Sequence, residues 1–144
     1  MIKRQEDHAY RQAGFSLLEL LVVISIIGIL IAIGAVAFTT AQKRGRDARR
    51  RGDIKAWQDA LEQTYAEYTD YTGAGTDCQS AVDDHMNGVT PVDPKGASYD
   101  TTCTADVYCI CAELEAESGG NSDTSACAFD DSGDETYYCL NSLQ

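Results

Sequence analysis

Proline is almost absent from this chain: Pro91 and Pro94 are its two prolines, so nothing before residue 91 forces a helix to break. Histidine is equally scarce, with His8 and His85, and none of the six cysteines forms a CxxC pair. That argues against a zinc or iron–sulfur framework and for disulfides formed in an oxidising compartment. Positive charge also runs out, since Lys55 and Lys95 alone follow residue 52, against nineteen carboxylates. With 11 Lys+Arg, 23 Asp+Glu and a net charge of -12, the chain would on average repel a phosphate backbone. No specific nucleic-acid partner is expected. A length of 144 residues allows one modest domain with an anchor or tail and excludes a large multidomain enzyme.

What is present is sharply partitioned. Residues 1–14 sum to +1, residues 15–38 carry the single charge of Glu19, residues 39–52 sum to +5, and residues 53–144 sum to -17. The apolar block of 24 residues would reach roughly 36 Å as a helix, enough to cross a hydrocarbon core of about 30 Å. In lipid, a helix satisfies every backbone polar group internally. A secretory signal peptide cleaved at Ala35-Val36-Ala37 fits poorly, because its apolar region normally runs about 7 to 15 residues and is not interrupted by a carboxylate. A plain anchor leaves Glu19 unexplained, at about 2.5 to 3.5 kcal/mol for a charge at the bilayer centre and less near an end.

The string Gly14-Phe15-Ser16-Leu17-Leu18-Glu19-Leu20-Leu21-Val22-Val23-Ile24 resembles the class III leader junction of type IV prepilins and pseudopilins. The resemblance rests on a glycine, an apolar residue after it, a glutamate at the fifth mature position and an unbroken apolar helix. It implies a leader, residues 1–14, removed by a prepilin peptidase after Gly14, with methylation of the new amino terminus on Phe15. Cleavage would place a positive amine near the carboxylate of Glu19. Because an unpaired charge in lipid is costly, an amine from a neighbouring subunit would lower the free energy of packing and set the axial register. A glutamate that merely snorkels to the headgroups is the bland alternative.

Past the membrane, Ile54, Trp57, Leu61, Tyr65 and Tyr68 recur at helical spacing on one face. One helix of about 54 residues is therefore expected, roughly 80 Å long, broken at Gly73-Ala74-Gly75. Many major pilins carry a proline near the position of Val36; here only Gly28 and Gly34 could loosen the helix on assembly. The basic run Lys43 to Arg51 invites two readings, with DNA binding a weaker third because no aromatics interleave the arginines. It could meet anionic lipid headgroups, or it could face the acidic domain of adjacent subunits.

The expected domains are a leader at 1–14, a transmembrane or filament-core helix at 15–38, an amphipathic continuation at 39–70 and an acidic head at 71–144. The head holds Cys78, Cys103, Cys109, Cys111, Cys127 and Cys139. A domain this small is expected to need disulfides, at about 2 to 4 kcal/mol each. Strands are expected at Val107–Leu114 and Thr136–Leu140, with a short one at Ala126–Phe129. Cys109 and Cys111 would share a strand face and bridge to different neighbours. Cys127 is expected to pair with Cys139, and Cys78 and Cys103 to bond within the remaining set. Val92-Asp93-Pro94-Lys95-Gly96 reads as a turn and is similar to the Asp-Pro turn preceding the sheet in pilins. His85 stands alone and reads as a surface residue. Asp130, Asp131, Asp134 and Glu135 could hold Ca²⁺, but a solvated turn is favoured because the spacing is not that of an EF-hand.

These observations point to an α+β fold, pilin-like and disulfide-stapled, with a long N-terminal helix packed on a small antiparallel sheet. The expected role is structural rather than enzymatic, without cofactor. The chain would be a pilus subunit serving adhesion, twitching motility or DNA uptake, or alternatively a pseudopilin of type II secretion. Its partners would be identical subunits in a helical homopolymer, the prepilin peptidase, an inner-membrane assembly platform and, before assembly, membrane lipids. The precursor would cross the inner membrane once with a cytoplasmic N-terminus and later enter an extracellular pilus or a periplasmic pseudopilus. From another class, the rival is a tethered extracytoplasmic binding or sensor domain that never polymerises.

Overall fold

The computed structural model describes residues 14–73, 75, 77–116, 119–129 and 135–144. The helix α1 runs Leu17–Tyr68 and α2 runs Cys78–His85; the strands are β1 (Asp100–Cys103), β2 (Tyr108–Glu113) and β3 (Tyr137–Asn141). The chain divides into two compact units between Thr39 and Thr40.

The first unit contains the apolar part of α1. None of its described residues is buried, and its large apolar side chains, from Phe15 at 88% to Val22 at 46%, face outward. The helix is long and apolar enough to cross a membrane. Two hydroxyls within the run bond to helix carbonyls: Ser25 Oγ donates to Val22 O at 2.7 Å, and Thr39 Oγ1 to Val36 O at 2.9 Å. Neither is left as an unpaired group for lipid.

In the second unit, β2 is the central strand of a three-stranded antiparallel sheet ordered β1-β2-β3. Ile54, Trp57, Ala60 and Leu61 of α1 meet Tyr108, Ile110 and Ala112 of β2, with Tyr71, Tyr99, and Ala81 and Val82 of α2 closing the core. The period of 3.6 on α1 thus meets the period of 2 on β2. Tyr65 is partly buried on this core, whereas Tyr68 is exposed because it is the last helical residue. Thr69 follows at φ 56, a left-handed conformation that stops the helix, and Asp70 Oδ1 accepts from Thr72 N and Oγ1 at 2.6 Å.

The outer face of β2 is covered by the segment 119–129. Cys109 bonds to Cys127, and Cys111 to Cys139, its direct partner in the β2–β3 register; Cys78 bonds to Cys103, tying α2 to β1. Cys109 and Cys111 do bridge to different neighbours. The expected Cys127–Cys139 pair is incorrect, because cross-strand register commits Cys139 to Cys111. Ala126–Phe129 forms no strand, since Cys127 sits at φ 52 and Ser122 Oγ donates to Ala128 O at 2.9 Å, folding the segment back on itself. Asn121 extends the sheet past β3: its side chain donates to Cys139 O at 2.8 Å and accepts from Cys139 N at 2.7 Å. Next to it, a Cβ on Gly120 would come within 2.2 Å of Tyr137 O, so only glycine fits. The elements α2 and β1 were not expected from the sequence.

Ile110 is fully buried at the centre of this core. Ile110→Ala should destabilise the head by about 2 to 5 kcal/mol, read as a lowered thermal midpoint of the full chain in detergent. An unchanged midpoint would mean the core is not where α1 and β2 meet.

Candidate subunit-assembly site

Gly14, Phe15 and Ser16 precede the helix, and Phe15 is 88% exposed. The first turn is organised by a reciprocal pair. Ser16 N donates to Glu19 Oε2 at 3.0 Å, and Glu19 N donates to Ser16 Oγ at 3.5 Å. This is a capping box: the serine satisfies one free helix N–H while the glutamate three residues on reaches back to the serine's own N–H. The carboxylate thus lies at the positive end of the helix dipole, an effect worth about 0.3 to 1 kcal/mol at exposed sites. The S-x-x-E pattern was readable in the sequence, yet its role as a cap went unnoticed beside the charge of Glu19.

Much of the basic run is spent within its own head. Arg50, 3% exposed, donates through Nη1 to Asp47 Oδ1 at 2.7 Å and to Glu115 Oε1 at 3.0 Å, and through Nε to Asp93 Oδ2. Arg46 grips Glu115 with both arms, at 2.6 and 2.7 Å, and Lys95 reaches the same carboxylate at 3.1 Å. Asp47 completes the clasp by accepting Glu115 N at 2.9 Å and Ala116 N at 3.0 Å. Arg51 donates to Gly119 O and sits over the Tyr138 ring, 5.4 Å from its centroid. Consequently Arg50 is withdrawn from any contact with lipid or a neighbouring subunit and Arg46 is largely spent on Glu115, whereas Arg49 and Arg51 stay exposed; charge reversal at Arg50 would disturb folding before it tested assembly. Lys43 and Arg44 remain exposed.

The Asp-Pro turn owes its place to this clasp. Asp93 Oδ1 accepts Lys95 N at 2.7 Å, Gly96 N closes onto Asp93 O at 2.7 Å, and Arg50 fastens the carboxylate to α1. The Arg50 bond, foremost, holds the Asp93 carboxyl below its usual range, and the same bond holds the guanidinium above its own. Glu115 is lowered strongly, first by the hydrogen bond from Arg46 and then by those from Lys95 and Arg50. A second polar anchor lies further along α1. Glu62 Oε1 accepts from Tyr108 OH at 2.8 Å and from Leu143 N at 3.1 Å, while Tyr71 OH lies 3.3 Å from both its oxygens. Burial, followed by Glu62, pushes the Tyr71 hydroxyl up to about 12.

A cleft of about 490 Å³ opens beside the clasp, lined among others by Lys43, Arg50, Lys95, Tyr99 and Glu113. His85 is half-buried rather than on the surface, with Nε2 4.0 Å from Glu67 Oε2, because α2 lays it against the end of α1. The sulfurs of Cys109, Cys111 and Cys127 come within 4.8 Å of one another but are held in disulfides and offer no thiolate to a metal. Of the calcium candidates, Asp130, Asp131 and Asp134 lie outside the described residues; Glu135 is half-buried, its carbonyl accepting Gly120 N at 3.1 Å.

Residues 10–35 match the model of the prokaryotic N-terminal methylation motif, which spans the Gly14–Phe15 junction and the capping box. The chain carries a prepilin-type N-terminal methylation motif. Over 62 residues, 43% of the chain, it is 36% identical to the type IV major pilin protein PilA of Myxococcus xanthus (strain DK1622), of whose length it covers 28%. No solved structure matches.

The clasp has a sign in pH. Asp93 and Glu115 titrate lower in the folded head than in an unfolded chain, so their contribution is complete at neutral pH and fades as pH falls below about 4. Arg50→Ala should lower stability by about 3 to 5 kcal/mol, because it takes the cation from the Asp47 and Asp93 carboxylates, while Glu115 keeps Arg46 and Lys95. It should also flatten the fall in thermal midpoint between pH 7 and pH 3. A variant as stable and as acid-sensitive as the parent would refute the clasp.

Proposed function

We propose that this chain is a structural subunit of a type IV pilus filament. It is made as a precursor, cut after Gly14 on the cytoplasmic side, methylated on Phe15, and held in the inner membrane by residues 15–38 until it polymerises. The observation that carries the reading is the combination, on one helix, of an apolar surface left exposed among the described residues and a single carboxylate at the fifth position after Gly14. In lipid that surface is at home; in a filament, sister helices cover it. The amine released on Phe15 then has a partner in Glu19 of a neighbour, and an ion pair away from water forces one axial offset between copies.

The major-pilin relative favours a filament-forming subunit over a secretion piston. The exposed head would form the outer surface, through which adhesion, twitching or DNA uptake would act.

Two measurements test the reading. Intact mass of the protein from its own cells should show loss of Met1–Gly14 and one added methyl group; a full-length chain would support a tethered domain instead, and loss through Ala37 a secreted one. Glu19→Gln keeps the capping box, since glutamine serves at that position, but removes the charge. It should abolish filaments while leaving membrane insertion intact, and abundant normal filaments would contradict charge-set register.

A further inference from the structure

The hydroxyls along the first unit are used in two different ways. Ser25 and Thr39 turn theirs onto a carbonyl three residues back, which merely hides a polar group in the helix. Ser16 does the reverse: its Oγ accepts Glu19 N, and its own N–H is taken by Glu19 Oε2. Such an arrangement fixes a side chain. It directs the carboxylate back along the helix toward Phe15, and Oε1 has no partner among the described residues.

We propose that Ser16 is the positioning residue for Glu19: its hydroxyl, by accepting Glu19 N, fixes the turn in which its backbone N–H can take Oε2, so that the carboxylate stays compensated and aimed while the subunit is alone in the membrane and offers Oε1 to the amine of the next subunit during assembly. The inference rests on the reading of Glu19 as the register group and adds how that group is kept ready. A carboxylate at the head of a helix in lipid has few possible partners, and the free N–H groups of the first turn are the ones its own chain can supply. By engaging Ser16 N, the glutamate meets part of its need for hydrogen bonds without a second molecule, so the unassembled subunit tolerates it. Because the same bond restricts the side chain, less conformational freedom is lost when the neighbour's amine arrives. The box also starts the helix at Leu17, leaving Gly14 and Phe15 in non-helical backbone, so the new amino terminus does not lie within the first turn.

Ser16→Ala removes the hydroxyl and with it the cap on Glu19 N, while Ser16→Thr restores it. The test is the yield of sheared filaments from cells expressing Ser16→Ala, Ser16→Thr or Glu19→Gln as the sole copy, with intact mass of each N-terminus. A serine-to-alanine change at a helix cap is worth about 0.5 to 2 kcal/mol, so Ser16→Ala should lower yield by roughly 2- to 30-fold with the leader normally removed. Ser16→Thr should return it to the parental level. Parental yield from Ser16→Ala would overturn the proposal, as would a Ser16→Thr variant as deficient as the alanine. Lost yield with an uncleaved leader would also overturn it, since the serine would then be serving the peptidase. Glu19→Gln separates the two levels: if it alone assembles normally, the register reading falls, whereas parental yield from Ser16→Ala with a dead Glu19→Gln sinks only the positioning role.

Discussion

A helix whose apolar surface stays bare among the described residues is the constraint from which the rest follows. From Leu17 to Phe38 the large apolar side chains stand 46% or more exposed, and monomeric water-soluble proteins rarely leave so large an apolar surface uncovered. Lipid or copies of the same helix must supply the cover. Between lipid and sister helices there is little hydrophobic preference, so association needs another source of specificity. A lone carboxylate supplies one, because its charge is tolerated in an apolar phase only with hydrogen bonds or a counter-charge. The capping box meets the first need within a single chain, and a neighbour's amine would meet the second.

The second unit solves a different problem by similar means. A small head buries too little apolar surface for comfort, so three disulfides and a buried guanidinium reinforce it. Arg50 gathers carboxylates from α1, from the Asp-Pro turn and from the chain after β2, fixing three separate segments around one cation. This arrangement changes the meaning of the charge partition. The basic run and the acidic head look like two faces made for different molecules, yet several of their charges meet inside one subunit. What is left outward on that part of α1 is Lys43, Arg44, Arg49 and Arg51, with Arg49 near Asp53 and Arg51 bonded to Gly119 O, while Arg50 is buried and Arg46 is committed to Glu115.

The legible features were those with strong local periodicity. Ile54, Trp57 and Leu61 announced the buried face of α1, and Tyr108, Ile110 and Ala112 that of β2, because each alternation repeats over several residues. The helix α2 has eight residues and β1 has four, none of them buried, too short and too polar to stand out from loops. Disulfide connectivity followed strand register, which no spacing reveals: Cys139 lies opposite Cys111 only once β3 pairs with β2. Arg50 was misjudged for a related reason. Its i,i+3 partner Asp47 was visible, but the partner that most strongly holds it charged, Asp93, lies 43 residues away and is brought there by the turn. At the leader junction, the charge of Glu19 was evident and the hydrogen-bonding role of Ser16 was not.

The central claim is that one carboxylate sets the stagger of one helix against the next. A high-resolution electron cryomicroscopy structure of filaments purified from cells addresses it directly. The account predicts the Glu19 carboxylate within salt-bridge distance, about 4 Å or less, of the methylated Phe15 amine of an adjacent copy. A well-resolved filament in which Glu19 bonds only within its own chain, with every neighbouring amine far from it, would contradict the account.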